Sequence, residues 1–375
     1  MVKLLAVFAV SLVLAYISEK NTNAIRASGQ RYTVWKDWAY IALLIVLVLF
    51  AGLRTSYNDT QNYISGYKSA PTLAELLSDA ENLNPFKNPL FYIFRSAMKS
   101  VTDNAQWHIL FSAAITQCCF IWFFKRYSKH FLFSIFLYFT LGTFVFTLAA
   151  LKQVLGMAIL TLALPFLEKR KWIPYYLIVI AAMLIHTYAI AFAVLPFFVV
   201  RPWKTFTYVF VIAMVVIMMN FKEVITAFME QANDLGKTLA DYELFDDATI
   251  NVFRLAVYAV TPLLSLLFQK WVSRNSTQLD HILIHMSIIS LAFMSMGTQS
   301  GANMFARMAM YFELGTICCL PKMLDSIFEQ RSYRLVAAIS VICFCGFFIY
   351  ANTIAGDFDS EYRAISAWQL IADLF

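Results

Sequence analysis

Apolar runs of roughly 15 to 20 residues recur from one end of the sequence to the other, each close to the ~20 residues that cross a ~30 Å hydrocarbon core as a helix. In hydrocarbon every backbone N–H and C=O must be paired within the structure, so such a chain can only be a helical bundle or a closed barrel. A barrel would show short alternating segments, and these are absent. Composition agrees: 61% of residues are hydrophobic and 14% charged, against about 25% charged in soluble domains. The expected fold class is all-α, an integral, polytopic helical bundle of about 11 to 13 segments. The first run, "LLAVFAVSLVLAYI", has the length of a signal peptide, but no small-x-small cleavage site with a polar mature domain follows, so it is read as the first span.

The loops divide by charge. Seventeen of the 29 lysines and arginines fall in six short stretches, 19 to 37, 125 to 130, 168 to 171, 201 to 204, 269 to 280 and 321 to 334, and these are expected on the cytoplasmic side. Residues 221 to 251, with two lysines against seven acidic residues, are expected outside, as are residues 352 to 375. The spans expected are 2 to 17, 38 to 53, 105 to 124, 131 to 149, 153 to 167, a broken pair at 173 to 185 and 188 to 200, then 205 to 220, 252 to 268, 281 to 297, 304 to 320 and 335 to 351. The broken pair follows from topology: the segment lies between two basic loops and must go out and back, which two half-helices meeting near His186 achieve. Residues 89 to 104, with Arg95 and Lys99, read as an amphipathic or re-entrant helix on the outer side. No internal repeat is evident, so one membrane domain is expected over 1 to 375, with outer segments at 54 to 104 and 221 to 251. The six cysteines lie inside apolar runs and read as buried, inert thiols. There is no basic stripe, so nucleic-acid binding has no support.

Placed on this topology, Arg54, Asp59, Tyr63, Lys152, Gln153, His186, Arg254, Asn303, Arg307 and Tyr311 all fall at or near the outer ends of spans. An ionisable group at membrane depth costs about 2.5 to 3.5 kcal/mol on insertion scales, so its default reading is functional. Singly, an arginine near a helix end snorkels and a tyrosine joins an interfacial belt; as a set they point to a site. Asn303, Arg307 and Tyr311 are spaced by four and share one helix face. Lys152 and Gln153 interrupt "TFVFTLAALKQVLGMAIL" and mark an outer turn. Several cations together suit an anionic head, above all a phosphate or pyrophosphate. His281 and His285 have i, i+4 spacing but lack the glutamate of a zinc-protease motif, Glu313 is expected to face a different neighbour from Arg307, and His108 and His130 read as interfacial. No metal and no cofactor is called for, and the pair Asp246 and Asp247 reads as solvated surface.

The order of these features resembles the multi-span Wzy-class polysaccharide polymerases, and among them the EpsG-like group. "LRTSYNDTQNY" is similar to the family's first outer motif, "LAALKQVLGMAILTLALPFLEKRK" to its Arg-Gln span opening, "AAMLIHTYAIAFAVLPFF" to its helix, histidine and return helix, and "NMFARMAMYFELGTICCLP" to its late arginine and tyrosine helix. This chain has Tyr57 where the family has glycine, Lys152 for arginine, and Thr187 after the histidine. The resemblance implies a GT-C-like membrane glycosyltransferase in the bacterial cytoplasmic membrane, active on its outer face. It would move a growing glycan from one polyprenyl-pyrophosphate carrier to a lipid-linked repeat unit on another, with membrane lipid and a chain-length regulator protein as further partners. On that reading Arg307, Lys152 and Arg54 bind the pyrophosphate, Asp59 is the first choice of base and His186 the second, and Tyr63 and Tyr311 orient sugar or phosphate. The rivals are an oligosaccharide ligase, disfavoured by an outer loop at 221 to 251 without arginine or histidine, and a lipid-linked glycan flippase, disfavoured by the missing repeat.

Overall fold

A computed structural model describes residues 1–29, 31–78, 87–221, 223, 248–272, 274 and 276–372. It is almost wholly helical. Among the described residues five helices are long and apolar enough to span a membrane, Val2–Ala27, Ala105–Tyr127, Leu151–Glu168, Gln278–Met296 and Gln330–Thr353, and five shorter apolar helices accompany them. Most of the outer segment 221 to 251, including Asp246 and Asp247, lies outside the described residues. The chain divides into two compact units, residues 1–193 with 338–375, and residues 194–337.

In the first unit α1 (Val2–Ala27), α2 (Trp38–Gly52) and α6 (Ala105–Tyr127) pack side by side, and α9 (Leu151–Thr161) lies between α6 and α11 (Trp172–Ile185). Local sequence sets the helix ends. The Asp37 side chain accepts from the Tyr40 N–H to open α2, and the Asn104 side chain accepts from the Gln106 N–H to open α6. Gly52 lets the last turn of α2 approach α6: a Cβ there would stand 3.0 Å from the Leu110 Cα. The span expected unbroken at 131 to 149 is two helices, α7 (Phe131–Thr140) and α8 (Thr143–Ala149), bent by 54°. Gly142 makes the bend, with a φ of 88° that other residues rarely adopt. The break expected near His186 is present: α11 ends at Ile185, His186 is extended, and a 3-10 stretch (Thr187–Phe198) follows.

The outer segment of this unit carries α3 (Thr60–Lys68), α4 (Leu73–Ser78) and α5 (Pro89–Lys99). The C-terminal residues return to it. Strand β1 (Arg54–Ser56) pairs antiparallel with β2 (Arg363–Ala364), with Arg54 opposite Ala364. The Ile365 N–H donates to the Leu53 carbonyl at 3.0 Å, and the Tyr362 hydroxyl to the Phe50 carbonyl at 2.7 Å.

The second unit contains α12 (Thr205–Met219), α13 (Val252–Leu267), α14 (Gln269–Val272), and the paired α15 (Gln278–Met296) and α16 (Ala302–Ile327). From Ala309 to Pro321 every residue of α16 is buried. Gly315 permits this: a Cβ there would lie 2.6 Å from the Leu283 carbonyl oxygen of α15. The Ser290 hydroxyl bonds the Ala309 carbonyl at 2.9 Å across the same pair. Four cysteine expectations need correction: Cys119 and Cys345 are only partly buried. Cys118 and Cys343 are exposed, because each lies on a helix face turned away from its neighbours; Cys318 and Cys319 are buried as expected.

Candidate functional site

The ten residues singled out by sequence divide between the units: six lie in the first, and Arg254, Asn303, Arg307 and Tyr311 in the second. In the first unit a small apolar cluster of Phe91, Ile109, Leu151 and Leu155 is packed against by Tyr63 and Ile185. That cluster brings three distant segments together. The Tyr63 ring meets Phe91 edge-on at 6.2 Å. The Lys152 ammonium stands 5.7 Å from the centre of the Phe91 ring, and the Lys152 N–H reaches the Tyr63 hydroxyl at 3.5 Å. Ile185 carries His186 to the same place, and the next residue, Thr187, donates through N–H and hydroxyl to the Asn88 side chain at 3.0 and 3.2 Å. Asn88 itself holds a left-handed backbone at the start of α5. The helix break is thus fastened to the outer segment.

Arg54 is buried, with 1% of its surface exposed. Its Nε donates to the Thr60 hydroxyl at 3.2 Å and its Nη1 to the Ala51 carbonyl, while Nη2 has no protein partner among the described residues. The guanidinium borders a narrow crevice with Ser112, Thr116 and Gln117 of α6 and Thr147 of α8. The Ser112 and Thr116 hydroxyls are also buried without a partner there. Burial pulls the Arg54 pKa down to about 10, with Tyr362 and Tyr63 opposing the fall, so the side chain remains a cation at neutral pH. Asp59 is partly buried at the start of α3, where its carbonyl accepts from the Tyr63 N–H and its carboxylate makes no capping bond. Gln153 is buried beside Lys152.

Three residues of this neighbourhood were not among the sequence candidates. Gln106 donates to the carbonyls of both Gly52 and Arg54, at 2.6 and 2.9 Å, and so fixes the strand that carries Arg54. Arg95 leans on Tyr92 and lies close enough to α3 that a Cβ at Gly66 would come within 3.3 Å of its Nη1. Tyr362 arrives from the far end of the chain. For Arg95 the signal was present, a cation within an amphipathic outer helix. For Gln106 and Tyr362 there was none. His108, expected at the interface, is fully buried among Tyr67, Phe91 and Phe94, because the outer segment folds over the start of α6.

In the second unit the Arg307 Nε donates to the Asn303 carboxamide at 2.9 Å, as their spacing of four predicts. Tyr311, one turn further on, is buried. Arg254 stands over the Tyr258 ring at 6.0 Å, and the Tyr258 hydroxyl interacts with Glu313. Glu313 therefore lies beside Tyr258 of α13. His285 engages both ring nitrogens, with the Thr207 hydroxyl and the His281 carbonyl, each at 2.9 Å, which makes it a packing residue between α12 and α15.

The fold and this neighbourhood are those of a helical, multi-pass membrane protein with a buried arginine, a lysine and a tyrosine beside a folded outer segment. The family model described as the EpsG family matches residues 37–365, and the chain belongs to that family. No curated protein and no solved structure matches it. Membership places it among membrane proteins of the polysaccharide polymerase type.

Proposed function

We propose that this protein is a glycosyltransferase that extends a glycan carried on a polyprenyl pyrophosphate at the outer face of the bacterial cytoplasmic membrane. The reading is supported above all by Arg54, buried with an unpaired Nη2, in the neighbourhood where Lys152 and Tyr63 meet over Phe91. A buried guanidinium with an open donor calls for an anionic acceptor. In the reaction the acceptor sugar hydroxyl attacks the anomeric carbon of the donor glycan. The new C–O bond forms as the bond to pyrophosphate breaks, and the carrier pyrophosphate leaves with the electron pair. Lys152 and Arg54 stabilise the charge that develops on it. The hydroxyl proton passes to Asp59, whose carboxylate is not used as a helix cap; His186, at the helix break, is the second candidate. Tyr63 orients the phosphate or the sugar. Arg307, set by Asn303, is proposed as a substrate-binding arginine of the second unit in its own right.

The test is the glycan left on the carrier in cells. Arg54→Ala and Lys152→Ala should stop polymer formation while single repeat units accumulate on lipid, and normal chain length in both would overturn the phosphate-binding role. Asp59→Asn keeps shape and removes the base, so full turnover in that variant would pass the role to His186 or to water.

A further inference from the structure

A cavity in the second unit lies away from Arg307. It has a volume of about 190 Å³ and is lined by Arg201, Lys204 and Lys270 together with Trp203, Ser276 and His281. Its wall is formed by the end of α13, α14 and the first turns of α15, whereas Arg254 and Asn303 stand at the opposite ends of α13 and of the α15–α16 pair. The ~28 Å length of the 19-residue α15 separates the two regions. No carboxylate lines the cavity among the described residues. Asp280 borders an adjoining crevice, where it pairs with Lys322 and closes the capping box of Thr277. Its carboxylate is engaged by Lys322 and by the Thr277 N–H and hydroxyl, while three basic side chains line the cavity itself.

The cavity is also built rather than accidental. Trp203 forms part of it from a left-handed backbone, φ 57°, a conformation that costs a non-glycine residue about 1 kcal/mol or more and persists only where its surroundings impose it. The indole N–H anchors it by donating to the Ser265 hydroxyl at 2.9 Å, and that hydroxyl in turn donates to the Pro262 carbonyl at 2.7 Å. The backbone of "RPWK" is thereby held so that Arg201 and Lys204 both reach the cavity rim. Beside the rim, Leu263, Leu267 and Trp271 follow one another at intervals of four and are all exposed. An apolar stripe running from a basic, polar pocket matches a phospholipid, acyl chains along the stripe and phosphate at the cations.

We propose that this cavity binds the phosphate of an anionic membrane lipid, at a site separate from the one that acts on glycan. The commitment to lipid rests on the exposed stripe; the phosphate chemistry rests on the three cations. The experiment uses the full chain, delipidated in neutral detergent and titrated with phosphatidylglycerol, phosphatidylcholine or inorganic phosphate, with bound species counted by native mass spectrometry. Phosphatidylglycerol should bind once per chain and phosphatidylcholine far more weakly. The combined variant Arg201→Gln, Lys204→Gln and Lys270→Gln should weaken phosphatidylglycerol binding by about a hundredfold, since each basic residue near the surface adds about a factor of five. Val272→Trp fills the cavity without touching charge and should weaken it as well, while Arg201→Lys with Lys204→Arg should bind as the unaltered protein does. The two loss variants guard against a folding artefact, because they fail for different reasons. Unchanged phosphatidylglycerol binding in both would overturn the proposal. Inorganic phosphate binding as tightly as the lipid would overturn the lipid assignment and leave a soluble anion as the occupant.

Discussion

Two buried charges show what single residues do here. Asp37 is fully buried, yet it accepts from the Ser18 hydroxyl at 2.7 Å, the Asn21 carboxamide at 3.1 Å and the Tyr32 hydroxyl at 2.9 Å, and pairs with Lys125 at 3.6 Å. Burial alone would push its carboxyl up; the hydrogen bonds and the Lys125 charge outweigh burial and hold it below the usual carboxylate range. A depressed folded pKa contributes stability that is fully present above the unfolded value of about 3.9 and disappears as pH falls through the folded value. Thermal unfolding in detergent should therefore show no loss from this group between neutral pH and about pH 5. Asp37→Ala should cost about 3 to 5 kcal/mol at neutral pH, because the half-buried Lys125 loses its paired carboxylate and keeps the Ser18 carbonyl and hydroxyl. Arg54 differs in having an open donor. Arg54→Lys preserves the charge but cannot reach Ala51 and Thr60 together, so it should lose about 1 to 3 kcal/mol of stability and most polymerising activity, read by unfolding and by glycan length in parallel.

At the scale of elements, three glycines separate conformation from contact. Gly142 has room for a Cβ but a φ of 88°, so Gly142→Ala pays only for backbone strain, about 1 kcal/mol, and should straighten or loosen the bend between α7 and α8. Gly315 has ordinary backbone angles but no room, with the Leu283 carbonyl at 2.6 Å and the Met286 Cβ at 2.6 Å from the added atom. Gly315→Ala should force α15 and α16 apart and cost about 1 to 3 kcal/mol. Gly346 has neither constraint within the helix Gln330–Thr353, and Gly346→Ala should stabilise by about 0.5 to 1 kcal/mol. Unfolding midpoints of the three variants in one detergent would check the order; a stable Gly315→Ala protein would show that the close helix approach is not needed.

At the scale of the whole molecule, the chain's far end completes the first unit. Residues 363 and 364 pair with the strand that carries Arg54, and Tyr362 stacks on Phe50 at 4.7 Å. Truncation after residue 357 should leave membrane insertion intact and remove polymer, because the strand bearing Arg54 loses its partner. Protease protection of inserted protein, measured with glycan length, would check this. A truncated protein that polymerises normally would show that Gln106 alone holds the strand.

Much of this architecture was legible because it is local. Span positions follow from runs of apolar residues, and the pairing of Asn303 with Arg307 from a spacing of four. The break at His186 followed from counting residues between basic loops. By itself, then, the sequence determined a polytopic helical bundle, the EpsG family, and which polar residues stand at helix ends, since hydropathy and short spacings are properties of contiguous residues. Only the tertiary structure decided that Gly142 bends a span, that His108 is covered, that Phe91 draws Tyr63, Lys152 and Ile185 together, and that residues 362 to 365 brace Arg54 from over three hundred positions away. Contacts between residues so far apart in the chain leave no periodic trace; they are fixed by which buried surfaces and unpaired backbone groups find each other when the helices assemble.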